Sequence, residues 1–107
     1  MADWTDDQIQ EIWEKATPVS GYDENVYRKD QKGAWIQRDM NTPLSLNEPH
    51  TSLKWQVDHI TPVSKGGEDT VSNARPLQWY NNDCRQNGRL KTFVTSEGNH
   101  NIEVNQP

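Results

Sequence analysis

Val57-Asp58-His59-Ile60-Thr61-Pro62, then Gly66-Gly67, Asn73, Pro76-Leu77, Asn81-Asn82 and Arg85, is the stretch on which the reading of this chain turns. Residues 55–60 alternate apolar and polar side chains, the pattern of a half-buried strand. Pro62 and Gly66-Gly67 mark residues 61–72 as a long, compact loop. Pro76-Leu77-Gln78-Trp79 reads as a short return strand. Helix propensity resumes near Tyr80 and runs towards Lys91, with Gly88 offering an earlier stop.

A strand–loop–strand–helix unit can set Asp58 and His59 opposite a side chain on the helix. An acid and an amide oxygen make a sparse, hard-oxygen site for Mg²⁺ or Mn²⁺, with room left for water and a phosphate. A neighbouring imidazole can take a proton from water at neutral pH. The Gly-Gly pair allows a sharp turn, and Asn73 can pin the loop by bonding backbone groups.

Outward from this stretch, Thr5-Asp6-Asp7-Gln8 reads as a capping box that starts a helix. Trp4 and Ile9 take the staple positions, and Ile9, Ile12, Trp13 and Ala16 form one apolar face. Pro18 and Gly21 end that segment. Residues 17–33 read as turns, Ala34-Trp35-Ile36 as a short strand, and residues 40–52 as a loop. Residues 92–107 are expected to form a polar C-terminal tail, frayed from residue 95 on. His50 and His100 are expected to be solvated. Cys84 reads as a lone thiol, and the five tryptophans as core.

The chain has 107 residues, of which 31% are hydrophobic and 25% charged, with a mean hydropathy of -1.10. One domain is expected, and five Trp and three Tyr supply the large buriable surface that a disordered composition lacks. No run is long enough to cross a bilayer, and no signal peptide is read at the N-terminus, so a cytoplasmic location is expected. One cysteine excludes an internal disulfide and a multi-cysteine zinc site. The net charge of -5 opposes phosphate binding taken alone. The acid is concentrated in residues 1–25, however, while Arg75, Arg85, Arg89 and Lys91 cluster beyond the Asp-His pair. That cluster is read as a phosphate-contacting surface, with a merely solvated face as the alternative.

The stretch resembles the HNH endonucleases of the ββα-metal fold. Their pattern runs Asp-His, Pro, Gly-Gly, a middle Asn, and a final His or Asn on the helix, often followed by a basic residue. Here it reads Asp58-His59, Pro62, Gly66-Gly67, Asn73, Asn82 and Arg85. Asn73 stands fourteen positions beyond His59, and Asn82 nine beyond Asn73. Tyr27-Arg28-Lys29-Asp30 with Gly33-Ala34-Trp35-Ile36 looks like a segment that precedes the motif in some small bacterial and phage members. The adjacent asparagines leave the last register open, and the spacing favours Asn82 over Asn81.

The resemblance implies an α+β fold: a ββα-metal core over residues 55–91, a helix and support region over residues 1–54, and the tail. It implies a catalytic set of His59, Asn73 and Asn82. His59 is similar to the general base, and Asn73 to the residue that holds the loop and so the base. Asp58 and Asn82 resemble the ligands of one divalent ion, Mg²⁺ or Mn²⁺. Arg85, with Arg75, Arg89 and Lys91, would contact DNA phosphates. Relatives often bind a structural zinc through two Cys pairs. Gln78-Trp79-Tyr80-Asn81 stands at the matching place, so no structural zinc is expected, and packing of Trp79 and its aromatic neighbours would replace it. The implied function is metal-dependent hydrolysis of DNA, most simply double-stranded, by nicking or by cutting both strands. A second copy or a protein partner is compatible with it. The alternative is a catalytically silent nucleic-acid-binding or accessory subunit of a larger phage or restriction assembly.

Overall fold

The computed structural model describes residues 3–107. Its architecture is α+β, with three small antiparallel sheets and two short helices. Helix α1, Asp6–Trp13, starts with Thr5, whose side chain accepts from the Gln8 amide while the Gln8 side chain accepts from the Thr5 amide. The helix stops at Trp13, ahead of Ala16, because the chain tightens into i→i+3 bonds at Lys15 and Ala16. Arg28 then caps it. Its guanidinium is buried and donates to the carbonyls of Glu14 at the C-cap, Ala16 in the turn that follows, and Glu24 in the loop before β2.

Residues 17–33 hold more than turns. Strands β1 (Thr17–Pro18) and β2 (Tyr27–Lys29) join β3 (Trp35–Gln37) in a three-stranded sheet. Pro18 is tolerated because β1 is an edge. Ile12, Trp13 and Ala16 bury their face against Ile36, Trp55 and Ala74, with Trp4 and Ile9 packed beside them. The rings of Trp13 and Trp55 lie 5.5 Å apart, and each indole N–H reaches a backbone carbonyl.

Strands β4 (Trp55–His59) and β5 (Ala74–Gln78) pair antiparallel, with Asp58 opposite Arg75 and His59 opposite Ala74. Helix α2 (Trp79–Gln86) follows β5 directly. Gln78 is the hinge of that junction. Its side-chain oxygen accepts from the amides of Tyr80 and Asn81, and its amide group donates to the carbonyls of His50 and Ser52. The helix ends well before Lys91. Gly88, at φ +72°, lets the Arg89 amide turn back onto the Cys84 carbonyl, a Schellman closure.

The expected C-terminal tail is instead a hairpin of β6 (Thr92–Glu97) and β7 (His100–Asn105). Gly98 takes a positive φ in the two-residue turn. The hairpin is attached mainly through side-chain amides. Asn101 exchanges bonds with both backbone groups of Trp35, and Asn81 does the same with Val94. A second core of Ala34, Tyr80, Cys84 and Val94 lies beneath. His50 is also less solvated than expected. Its ring stacks on Tyr80 at 3.7 Å, and its Nδ1 lies 2.7 Å from Glu103. Trp79 Nε1 donates to the Pro49 carbonyl, so aromatic and amide contacts tie residues 49–52 to the start of α2. No helix among the described residues is long and apolar enough to cross a membrane.

Candidate active site

The alternation of β4 sends Asp58 and His59 to opposite faces. Asp58 turns towards α2 and is 2% exposed. Such a carboxylate needs compensation, and two arginines supply it. Arg75, its partner across the strand pair, donates from Nε to Oδ2 at 2.8 Å. Arg85, on α2, donates from Nη1 to Oδ1 at 2.7 Å and from Nη2 to the Ile60 carbonyl at 2.8 Å. No buried side-chain nitrogen or oxygen among the described residues lacks a partner.

His59 lies beside Trp4, ring centres 6.1 Å apart, and its Nε2 is 2.7 Å from Asp69 Oδ1. The loop that carries Asp69 is held closed by Asn73. The Asn73 oxygen accepts from the Thr61 amide, and its Nδ2 donates to the carbonyls of Thr61 and Glu68. The glycines make this possible for different reasons. Gly66 has φ +88°, while a Cβ on Gly67 would fall 1.8 Å from the Thr61 oxygen.

The two asparagines of α2 face different ways. Asn81 is fully engaged in the fold, donating to Asp30 and Val94 and accepting from the Val94 amide. Asn82 lines a cleft of about 420 Å³ with His59, Gln56, Trp4 and Gln86. Its Nδ2 donates to Gln56 and its oxygen accepts from Gln86. A neighbouring cleft of about 550 Å³ is lined by Asp58, His59, Lys65, Arg85 and Gln86. His59 and Gln86 border both.

Asp30 anchors this arrangement from behind. It accepts from the amides of Lys32, Ala34 and Gln78 and from the Asn81 side chain. Burial pushes its carboxyl above the ordinary range despite those bonds.

Arg75, Arg85 and Arg89 line a third cleft, of about 240 Å³, together with Gln31 and Lys32. Arg89 also pairs with Asp83 and lies over the Tyr80 ring. Lys91 is exposed on the segment after α2 and is not among the residues lining that cleft. Sequence reasoning did not single out Lys65, Asp69, Gln56 or Gln86. Asp69 carried one signal, an acid inside the loop that Asn73 closes.

No group of three or more His, Cys, Asp and Glu able to hold a metal occurs among the described residues. Asp58 and Asn82 nevertheless supply the oxygen donors that a hard divalent ion takes, one carboxylate and one amide. Each Asp58 oxygen keeps a second lone pair after its arginine bond, and Asn82 Oδ1 accepts only from the exposed Gln86. The donor types thus match such an ion, while Asp58 and Asn82 line separate clefts and Arg75 and Arg85 occupy the carboxylate.

Residues 46–88, which include β4, the closed loop, β5 and α2, match the family model described as HNH endonuclease. The matched stretch, which holds β4 to α2, is similar to an HNH endonuclease domain. Neither the curated proteins nor the solved structures compared with the chain gave a match. That likeness points to a nuclease, whose substrate would be nucleic acid.

Proposed function

We infer that this chain is a metal-dependent endonuclease that hydrolyses phosphodiester bonds of DNA. β4, β5 and α2 act as the ββα-metal unit, and α1 with the β1–β3 sheet supports it. The observation that carries the reading is the position of His59. It borders the cleft that holds Asp58 and Arg85 and also the cleft that holds Asn82.

In this reading His59 takes the proton of the attacking water. Asp58 and Asn82 would hold one divalent ion, Mg²⁺ or Mn²⁺, which when bound would supply Lewis-acid stabilisation of the leaving 3′ oxygen. Arg85 has its guanidinium in the same cleft as His59 and neutralises the scissile or an adjacent phosphate. Arg75 and Arg89 extend that positive surface along the third cleft, and Lys91 adds a more distant contact. Asn73 acts on the base only through the loop it closes. The products are a 5′-phosphate and a 3′-hydroxyl, and the site of action is the cytoplasm. End-labelling of the cleaved strands tests this, because 3′-phosphate ends would contradict the assigned bond.

A second reading is a catalytically silent DNA-binding or accessory subunit. The arginine bond held by each Asp58 oxygen favours it. Its mark would be DNA binding without cleavage under any divalent ion, restored by a partner protein. A self-sufficient nuclease working as a monomer nicks, whereas a symmetric pair cuts both strands.

A further inference from the structure

We propose that Asp69 is the positioning residue of the nuclease: it fixes the tautomer of His59 and leaves Nδ1 as the atom that accepts the proton of water. The proposal rests on the reading of His59 as the base. An ionised carboxylate only accepts hydrogen bonds, so the 2.7 Å contact requires a proton on His59 Nε2. In the neutral ring the lone pair is then on Nδ1. A base whose tautomer wanders presents that lone pair for only part of the time.

The fold delivers Asp69 to this place by a short chain of contacts. Asn73 Nδ2 holds the carbonyl of Glu68, the residue before Asp69, at 2.7 Å. The same amide group grips Thr61, two residues beyond His59, and the Ile60 amide donates to the Asn73 carbonyl. Both ends of the loop are thus fixed to the strand that carries the base. Gly67 allows the close approach that this requires. The imidazole is largely covered, its side chain 17% exposed, so water competes poorly for Nε2.

The test is long-range ¹H–¹⁵N spectroscopy of ¹⁵N-histidine-labelled protein, run beside kinetics of Asp69→Ala, Asp69→Asn and Asp69→Glu. The expected wild-type spectrum shows His59 protonated at Nε2 and unprotonated at Nδ1. Asp69→Ala should give a tautomer mixture and lower turnover on the order of 10- to 100-fold, with KM for DNA within about two-fold. Asp69→Asn, whose oxygen can still accept from Nε2, and Asp69→Glu should each recover part of the turnover. The amide resonances of Ile60 and Thr61, both bonded to Asn73, check that the loop stays closed. A proton on Nδ1 in the wild type, or full turnover in Asp69→Ala, would overturn the proposal. If the wild type cuts no DNA with any divalent ion, the nuclease reading falls, and the tautomer spectrum alone decides whether Asp69 sets His59.

Discussion

Asp58 and Arg85 are joined across the β4–α2 interface by a 2.7 Å ion pair, with the carboxylate nearly sealed from solvent. Arg75 completes the enclosure from β5. The residue assigned to bind a cation is therefore held by two cations of the protein itself. One of them, Arg85, is also placed to bind phosphate. A phosphate that engaged Arg85 would free one Asp58 oxygen, and a cation bound at Asp58 would compete with Arg85 for it.

Arg85→Ala should tighten Mn²⁺ binding in the absence of DNA, read by electron paramagnetic resonance titration. It should also weaken DNA binding and reduce the salt slope of binding by about one. The fold should lose about 2 kcal/mol, because Arg75 still holds Asp58. Unchanged Mn²⁺ affinity would remove the competition between Arg85 and the ion.

Asn81→Ala and Asn82→Ala should separate stability from function. Asn81→Ala strands both backbone groups of Val94 and costs about 3 kcal/mol in urea unfolding. Asn82→Ala should unfold much like the wild type yet lose metal-dependent cleavage. The reverse pattern would put the ligand at the other asparagine.

Gly67→Ala should open the loop, since the new Cβ cannot coexist with the Thr61 carbonyl. A loss of about 2–3 kcal/mol and a sharp fall in turnover are expected. A crystal structure of the variant showing the Asn73–Thr61 bonds intact would contradict this account.

Asp30→Asn should destabilise the fold, because its amide group would face donors where the carboxylate now accepts four bonds. The wild type carries a pH signature as well. A carboxyl whose folded pKa is raised holds its proton more tightly in the folded state. Stability from this group is therefore full below the unfolded value of 3.8 and falls as pH rises from there through the folded value. Urea midpoints measured across that window should show the decline in the wild type, and its contribution should be missing in Asp30→Asn.

The sequence carried the parts of this structure that depend on local pattern. Thr5 and Gln8 announced a capping box, and the alternation of residues 55–60 announced β4. The spacing of His59, Asn73 and Asn82 brought the loop anchor and a cleft-lining asparagine into view. The C-terminal hairpin escaped because few apolar side chains hold it in place. Only Val94 of its apolar residues is fully buried, and Asn101, Asn81 and Trp35 make its attachments through hydrogen bonds. The Gly98-Asn99 turn between two β-branched runs was the usable signal. The Asp58–Arg75 pair depends on strand register, and the His50–Tyr80 stack on a tertiary contact across thirty positions. Neither is written in local periodicity.

The most direct test is plasmid cleavage by the purified chain with EDTA, Mg²⁺ or Mn²⁺, beside His59→Ala. The account predicts nicking or linearisation with a divalent ion, none with EDTA, and none from a folded His59→Ala protein that still binds DNA. Cleavage by His59→Ala at the wild-type rate would contradict it.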